Sequence, residues 1–308
     1  MNKNKPLDLV KENPRVNIKH LTILSVVLSV LIIVGAFIYS FYVLLMTTVA
    51  IFTGVIVEYV FMKVRKRPYK INAGSVVTPL IFVSLMPPEL PLYIVVVGTF
   101  FGVFFGKMMF GGLGRNIFEP AVAAFLFVLV TFPFDVGANF IDPITGSVLS
   151  TTALADSAIV GTSEQLFGLL LGQYANSVAG TMVLAVCIGG VILLFLRAID
   201  WKIPLSVLLA TAVFTIGFDQ FYPDQFGNAF ITLFQGQLMF IAFFVATDPV
   251  TAPRTSRGRV LYGIGIALIT VVIRGLANAD EGVIYAVIIM NAVGPMLEPA
   301  EVIEEEKA

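Results

Sequence analysis

The stretch LTILSVVLSVLIIVGAFIYSF, residues 21–41, decides the fold. It is 21 residues long and carries no charged side chain, and about 20 apolar residues are what a helix needs to cross a ~30 Å hydrocarbon core. The segment ahead of it is polar and basic, with Lys3, Lys5, Lys11, Arg15 and Lys19. No short apolar core precedes a small-residue cleavage site there, so no cleavable signal is expected.

Working outward, the same kind of segment recurs. Ten helices are expected near 21–41, 43–62, 73–86, 91–110, 118–133, 178–196, 203–218, 229–246, 259–274 and 282–297. The third, fifth and tenth are short, and short or Pro/Gly-interrupted spans often mark half-helices around a midplane site. Composition agrees: of 308 residues, 58% are hydrophobic and 13% charged, with a mean hydropathy of +0.94. Soluble domains are about a quarter charged. One cysteine and one histidine leave no disulfide framework and no His/Cys metal cluster, and Cys187 in its apolar run reads as a small buried hydrophobe. A net charge of −1 points to no nucleic-acid partner.

Basic residues orient the bundle, because cytoplasmic loops hold the excess of Lys and Arg. With the N-terminus inside, the inner segments take the N-terminal five, then Lys63, Arg65, Lys66, Arg67, Lys70, Lys107, Arg115, Arg197, Lys202, Arg254, Arg257, Arg259 and Lys307. Of the nineteen basic residues, Arg274 alone falls at an outer end. Both termini are therefore expected in the cytoplasm. The domain plan is an N-terminal segment 1–20, a membrane domain 21–297 with an outer loop 134–177, and an acidic tail 298–308. Between Thr131 and Gly180 there is no lysine or arginine, and Ser150-Thr151-Thr152-Ala153-Leu154-Ala155-Asp156 sits near the middle.

Two Gly/Pro-rich breaks carry polar chemistry. In the first, Gly106 to Ala121, four glycines at 106, 111, 112 and 114 permit tight turns. Glu119 stands just before Pro120, where the next helix's dipole favours negative charge. A capped connector between helices is the plainer reading. In the second, Ala246 to Thr255, Pro249 and Pro253 prevent a regular helix from continuing. Backbone groups freed at membrane depth need internal partners, and Asp248, Thr251 and Arg254 are candidates, against the plainer alternative of a solvated turn. Five spans per half would place the halves in opposite orientation, an inverted five-plus-five repeat with broken helices. Glu58 and Glu281 lie near interfaces and read equally as functional acids or as solvated ones. Asn291 is deeper and suits a hydrogen bond to a ligand or a neighbouring helix.

The motifs Gly-Lys-x-x-Phe-Gly-Gly-Leu-Gly-x-Asn-x-Phe-x-Pro-Ala (Gly106–Ala121) and Ala-Thr-Asp-Pro-Val-Thr-Ala-Pro (Ala246–Pro253) resemble a family of membrane proteins that work inside larger complexes. The family comprises the D subunit of the Rnf ferredoxin:NAD oxidoreductase and the B subunit of the sodium-pumping NADH:quinone reductase, Nqr. The segments Ile199–Leu205, Glu281–Ala286 and Met290–Ala292, together with Arg274, extend the likeness over roughly residues 70 to 296. The chain's short N-terminal region is closer to the Rnf member.

The resemblance implies a threonine of the outer loop carrying FMN through a phosphodiester installed by a flavin transferase. Thr152, ahead of Ala153-Leu154-Ala155, fits the second half of the acceptor motif; Thr151 is the neighbouring choice. The first half departs, with Gly146, Leu149 and Thr151 at its expected Asp, Ser/Thr and Ala positions. A rival alignment on Asp142–Ser147 puts Val148 at the acceptor position, and then no covalent flavin forms. The resemblance also implies a second, non-covalent flavin, riboflavin in the Nqr branch, near Asn116, Phe118 and Glu119. Family members usually have asparagine where Glu119 stands, and a carboxyl donates to a flavin carbonyl only when protonated.

The expected function is that of a membrane electron-transfer component, coupling ferredoxin/NAD chemistry to Na⁺ or H⁺ movement in a bacterial or archaeal cytoplasmic membrane. It is not catalytic alone, since the chain has no dinucleotide fingerprint and no iron–sulfur cysteine set. Implied partners are the other Rnf components: the membrane proteins RnfA and RnfE, the outer flavin-bearing RnfG, and the soluble RnfB and RnfC. The alternatives are the quinone-reductase component NqrB and a channel or transporter for a small neutral solute.

Overall fold

A computed structural model describes residues 16–144, 146, 148–149, 163–222, 226, 228–277, 279 and 281–298. Helix α1 (Ile18–Ile38) begins where the Asn17 side chain accepts a hydrogen bond from the Lys19 backbone N–H at 3.0 Å, a conventional N-cap. Helix α2 (Tyr42–Val64) returns antiparallel after a three-residue turn. Helix α3 (Ala73–Leu85) is only 13 residues long. It stops at Met86 (ψ 158°), which Pro87 forces out of helical conformation. Nearly every side chain of α3 is buried, and α1, α2 and α5 pack around it.

Helix α4 (Leu92–Phe101) widens into π-helical turns over Gly102–Met108. Helix α5 (Pro120–Thr131) starts on its proline, and α6 (Pro133–Ala138) follows. A two-stranded antiparallel ribbon pairs β1 (Phe140–Ile141) with β2 (Val148–Leu149), Phe140 opposite Leu149. Beyond it come α7 (Ser163–Leu170), α8 (Val178–Thr181), α9 (Val183–Phe195), α10 (Lys202–Asp219) and α11 (Ala229–Phe234). The short α12 (Leu238–Phe240) runs on as π-helix through Ile241–Val245. Helix α13 (Ser256–Ala277) and α14 (Gly282–Val293, extended by a 3₁₀ turn to Leu297) complete the described chain.

The fold is helical, as expected, and is that of a multi-pass membrane protein, while ten spans are not confirmed. Among the described residues four helices, α1, α2, α10 and α13, are long and apolar enough to cross a membrane. Residues 73–85, 92–108, 120–131, 183–195 and 282–297 form shorter apolar helices. The short third, fifth and tenth segments are among these. The expected sixth span is split at Met182, whose ψ of 50° is not helical. The expected eighth is split at Gln235-Gly236-Gln237, where Gly236 takes a φ of 70°. A side chain there would meet the left-handed penalty.

That last split explains the one basic residue outside the charge pattern. Arg274, 8% exposed, donates from Nη1 to the Thr232 carbonyl at 3.0 Å and from Nη2 to the Gln235 carbonyl at 3.3 Å. It holds the C-terminal end of α11, where carbonyls lack helical partners and a positive charge opposes the dipole. Gln237 in turn donates to the Leu85 carbonyl at 2.9 Å, tying the split to the end of α3. In the second half α13 packs tightly on α10: a Cβ at Gly263 would collide with the Ser206 hydroxyl oxygen.

Candidate functional site

Both breaks meet at one end of the bundle. They follow the expected fourth and eighth apolar segments. Each is preceded by π-helix, Gly102–Met108 before the first and Ile241–Val245 before the second. The wider turn is visible in the bonds Met109 N–H to Phe104 O, 2.9 Å, and Ala246 N–H to Ile241 O, 2.8 Å. Such turns recur at functional sites because they redirect side chains out of helical register.

In the first break Gly111, Gly112 and Gly114 have φ of 116°, 95° and 83°, which other residues rarely adopt. The loop they form returns Leu113 onto Gly74 at the start of α3, where a Cβ would lie 2.5 Å from its side chain. Gly102 and Gly106 let the π segment close on Pro120; a Cβ at Gly102 would meet the Pro120 carbonyl at 2.6 Å. The side chain of Lys107 is thereby carried inward. It is 3% exposed, and its Nζ lies 2.6 Å from Glu58 Oε1 on α2 and 2.5 Å from the Gly74 carbonyl.

Glu58, 5% exposed, also accepts from the Ser75 hydroxyl at 2.5 Å and from the Tyr69 hydroxyl at 3.1 Å. Partial burial, with the Glu58 charge beside it, raises the Tyr69 phenol above its usual range, so it stays a donor. A buried ion pair survives the loss of hydration only when its remaining lone pairs and protons are satisfied, and this one is. Neither residue is solvated at an interface: Glu58 is a buried partner, and Lys107 is not a loop cation.

In the second break Thr247 donates to the Phe243 carbonyl at 2.7 Å. Asp248 Oδ2 accepts from the Thr251 backbone N–H at 3.3 Å, an Asx-type turn. Thr251 is buried. The Arg254 backbone N–H donates to Glu298, which also accepts from Thr255 N–H at 3.3 Å, and the Thr255 hydroxyl caps α13 through Gly258 N–H at 3.1 Å. Arg254 thus belongs to the start of α13, while Asp248 lines the same cavity as Glu119 of the first break. Asn116, beside them, donates to the Phe118 carbonyl at 3.2 Å. Asn291 is deeply buried and accepts from the Tyr262 hydroxyl at 2.6 Å.

Between the breaks lies a cavity of ≈ 40 Å³ lined by Thr78, Lys107, Asn116, Glu119, Asp248 and Pro120 among others. It has room for about three water-sized groups, at 10–15 Å³ each. Of the residues expected near a second flavin, Asn116 and Glu119 line this chamber. Thr152 and Thr151 lie outside the described residues. The ribbon that leads to them is described: the Asp142 carbonyl accepts from Gly146 N–H at 2.8 Å, closing the turn between β1 and β2. Val148 of the rival alignment sits in β2 opposite Ile141.

Sequence reasoning found Asn116, Glu119, Asp248, Thr251 and Asn291, and the structure brings Asn116, Glu119 and Asp248 to one cavity. It did not find Lys107, Thr78 or the role of Glu58. The signal available was a lysine set between glycine and methionine in an apolar run.

Comparison with known proteins adds the following. The family model described as the NQR2, RnfD, RnfE family matches residues 10–304. The D subunit of the Na⁺-translocating ferredoxin:NAD⁺ oxidoreductase complex of Acetobacterium woodii is 31% identical, over 94% of this chain and 92% of its own. The D subunit of an ion-translocating oxidoreductase complex of Actinobacillus succinogenes is 30% identical over 86% of each chain. The D subunit of the proton-translocating ferredoxin:NAD⁺ oxidoreductase complex of Clostridium ljungdahlii is 30% identical, over 86% of this chain and 84% of its own.

Proposed function

Since the chain belongs to the NQR2, RnfD and RnfE family, we propose that it is the D-type membrane component of an Rnf-type ion-translocating oxidoreductase. The observation that carries this reading is the likeness, along nearly the whole chain, to the D components of such complexes. Those names favour the Rnf branch over the quinone-reductase component NqrB, and they speak for redox work over a solute channel. The chain acts as one part of a larger assembly, with the other components of the complex as partners.

In this reading the Thr152 hydroxyl holds FMN by a phosphodiester on the outer side, after a separate flavin transferase has acted. A bound flavin supplies one- and two-electron redox chemistry, and the protein orients it and tunes it by charge and hydrogen bonds. This chain's own residues contribute the scaffold at both ends. The ribbon Phe140–Leu149 fixes the entry to the acceptor segment, and the chamber between the breaks holds charge at the opposite end, where the basic residues cluster. We place that end in the cytoplasm on the charge pattern.

The test is the mass of the purified protein, isolated from cells that contain the transferase. An added mass of FMN less one water, localised to a peptide containing Thr152, is the expected result. An unmodified mass beside an active transferase contradicts the covalent flavin and leaves family membership standing.

A further inference from the structure

The chamber has one feature the redox reading does not use. Glu119, 5% exposed, and Asp248 put two carboxyl groups on the wall of one cavity of ≈ 40 Å³. An ionised carboxylate only accepts, so the two can bond to each other only by sharing one proton. Two like charges that face one small cavity raise each other's affinity for that proton.

A second observation points to a ligand in the same space. Thr78 lines the cavity and is 7% exposed, yet its hydroxyl makes no hydrogen bond among the described residues. Other buried threonines of the bundle donate to the carbonyl four residues back, Thr47 to Val43 at 2.7 Å and Thr270 to Ile266 at 2.7 Å. For Thr78 that carbonyl is Gly74, and Lys107 Nζ occupies it at 2.5 Å. A hydroxyl without a protein partner in a cavity wall is satisfied by a cavity water.

We propose that this chamber holds one exchangeable proton on the Glu119–Asp248 carboxyl pair, with water on Thr78 and Asn116, and that Lys107 is the movable counter-charge. The charges balance as follows. With the proton bound the pair carries one negative charge, and Lys107 neutralises Glu58. When the proton leaves to chamber water, the pair carries two negative charges, and the Lys107 ammonium, which lines the same cavity, moves from Glu58 toward the pair. Glu58 stays hydrogen-bonded through Ser75 at 2.5 Å and Tyr69 at 3.1 Å, which lessens without removing the cost of the departure. Among the described residues the other titratable group near the pair is Tyr262, whose hydroxyl is committed to Asn291 at 2.6 Å. Glu119 is essential to the device, and an asparagine in its place, as in the family's usual motif, removes it.

The inference rests on the proposed function for its use in coupling, but its test does not. Infrared spectra of the assembled complex are recorded in H₂O and D₂O, with ferredoxin:NAD activity measured on the same sample. The wild type is expected to show a protonated-carboxyl carbonyl band that shifts in D₂O and is indifferent to Na⁺. That band should be lost in Glu119→Gln and in Asp248→Asn, and in Glu58→Gln, which frees Lys107 for the pair, it should disappear at a lower pH than in the wild type. A band that survives both pair variants overturns the proposal. So does a wild-type band abolished by Na⁺, which would make the chamber a sodium site, or one that never exchanges, which would make the acid structural. The wild-type arms need no variant to fold. An active complex without the band refutes the proton store alone, whereas an inactive complex bears on the function.

Discussion

The Lys107 ammonium lies 2.6 Å from the Glu58 carboxylate across 49 residues of sequence, and both side chains are almost fully removed from solvent, at 4% and 6% exposure. The pair ties the π segment Gly102–Met108 to α2 and, through the Gly74 carbonyl, to the start of α3. Removing one member leaves the other charged and buried, which costs about 3–5 kcal/mol. We expect Lys107→Met and Glu58→Gln each to lower the thermal stability of the detergent-solubilised complex. The double variant should be more stable than Lys107→Met alone. Strictly additive losses would show that the two charges do not stabilise one another.

Topology follows from the charge pattern and is tested at Ser256, an exposed residue at the start of α13. With Cys187 replaced by serine, a cysteine introduced at Ser256 should resist a membrane-impermeant thiol reagent in intact cells. It should react once the cells are broken. Labelling in intact cells reverses the orientation of the whole bundle.

Asp248 lines the cavity between the two breaks together with Glu119 and organises its own turn through Thr251 N–H at 3.3 Å. Asp248→Ala is expected to assemble but to reduce ferredoxin:NAD activity by about tenfold or more, a barrier increase of at least about 1.4 kcal/mol. Full activity in an assembled variant would leave Asp248 with the role of a turn residue.

Thr152→Val keeps side-chain shape and removes the hydroxyl. In a denaturing gel the wild-type protein should fluoresce as a flavin band, and the variant should insert without fluorescing. Fluorescence lost in Thr151→Val and kept in Thr152→Val would move the acceptor by one residue.

Much of this architecture is legible in the sequence because lipid imposes a strong rule: apolar length marks helices, and Gly/Pro clusters mark where they stop. The breaks at Gly106–Ala121 and Ala246–Thr255 were visible for that reason. The split at Gln235-Gly236-Gln237 was hidden inside an apolar run, although two glutamines around a glycine were the available sign. Arg274 stood out as an exception to the charge pattern, but its acceptors, Thr232 and Gln235, come from a helix end that the sequence did not reveal. Lys107 and Glu58 were hidden because periodicity locates a residue along a helix and not the partner it meets across the bundle. Their pairing depends on a π-helical turn, which leaves no clear mark on composition.

The central claim is that this chain is the D-type component of an ion-translocating ferredoxin:NAD oxidoreductase. Membranes from cells lacking only this chain, and from the same cells complemented with it, should be assayed for NAD⁺ reduction by reduced ferredoxin with concurrent ion uptake into inverted vesicles. Loss of both activities on deletion and recovery of both on complementation is the predicted result. Undiminished ferredoxin-dependent NAD⁺ reduction with normal ion uptake in the deletion membranes would contradict the account.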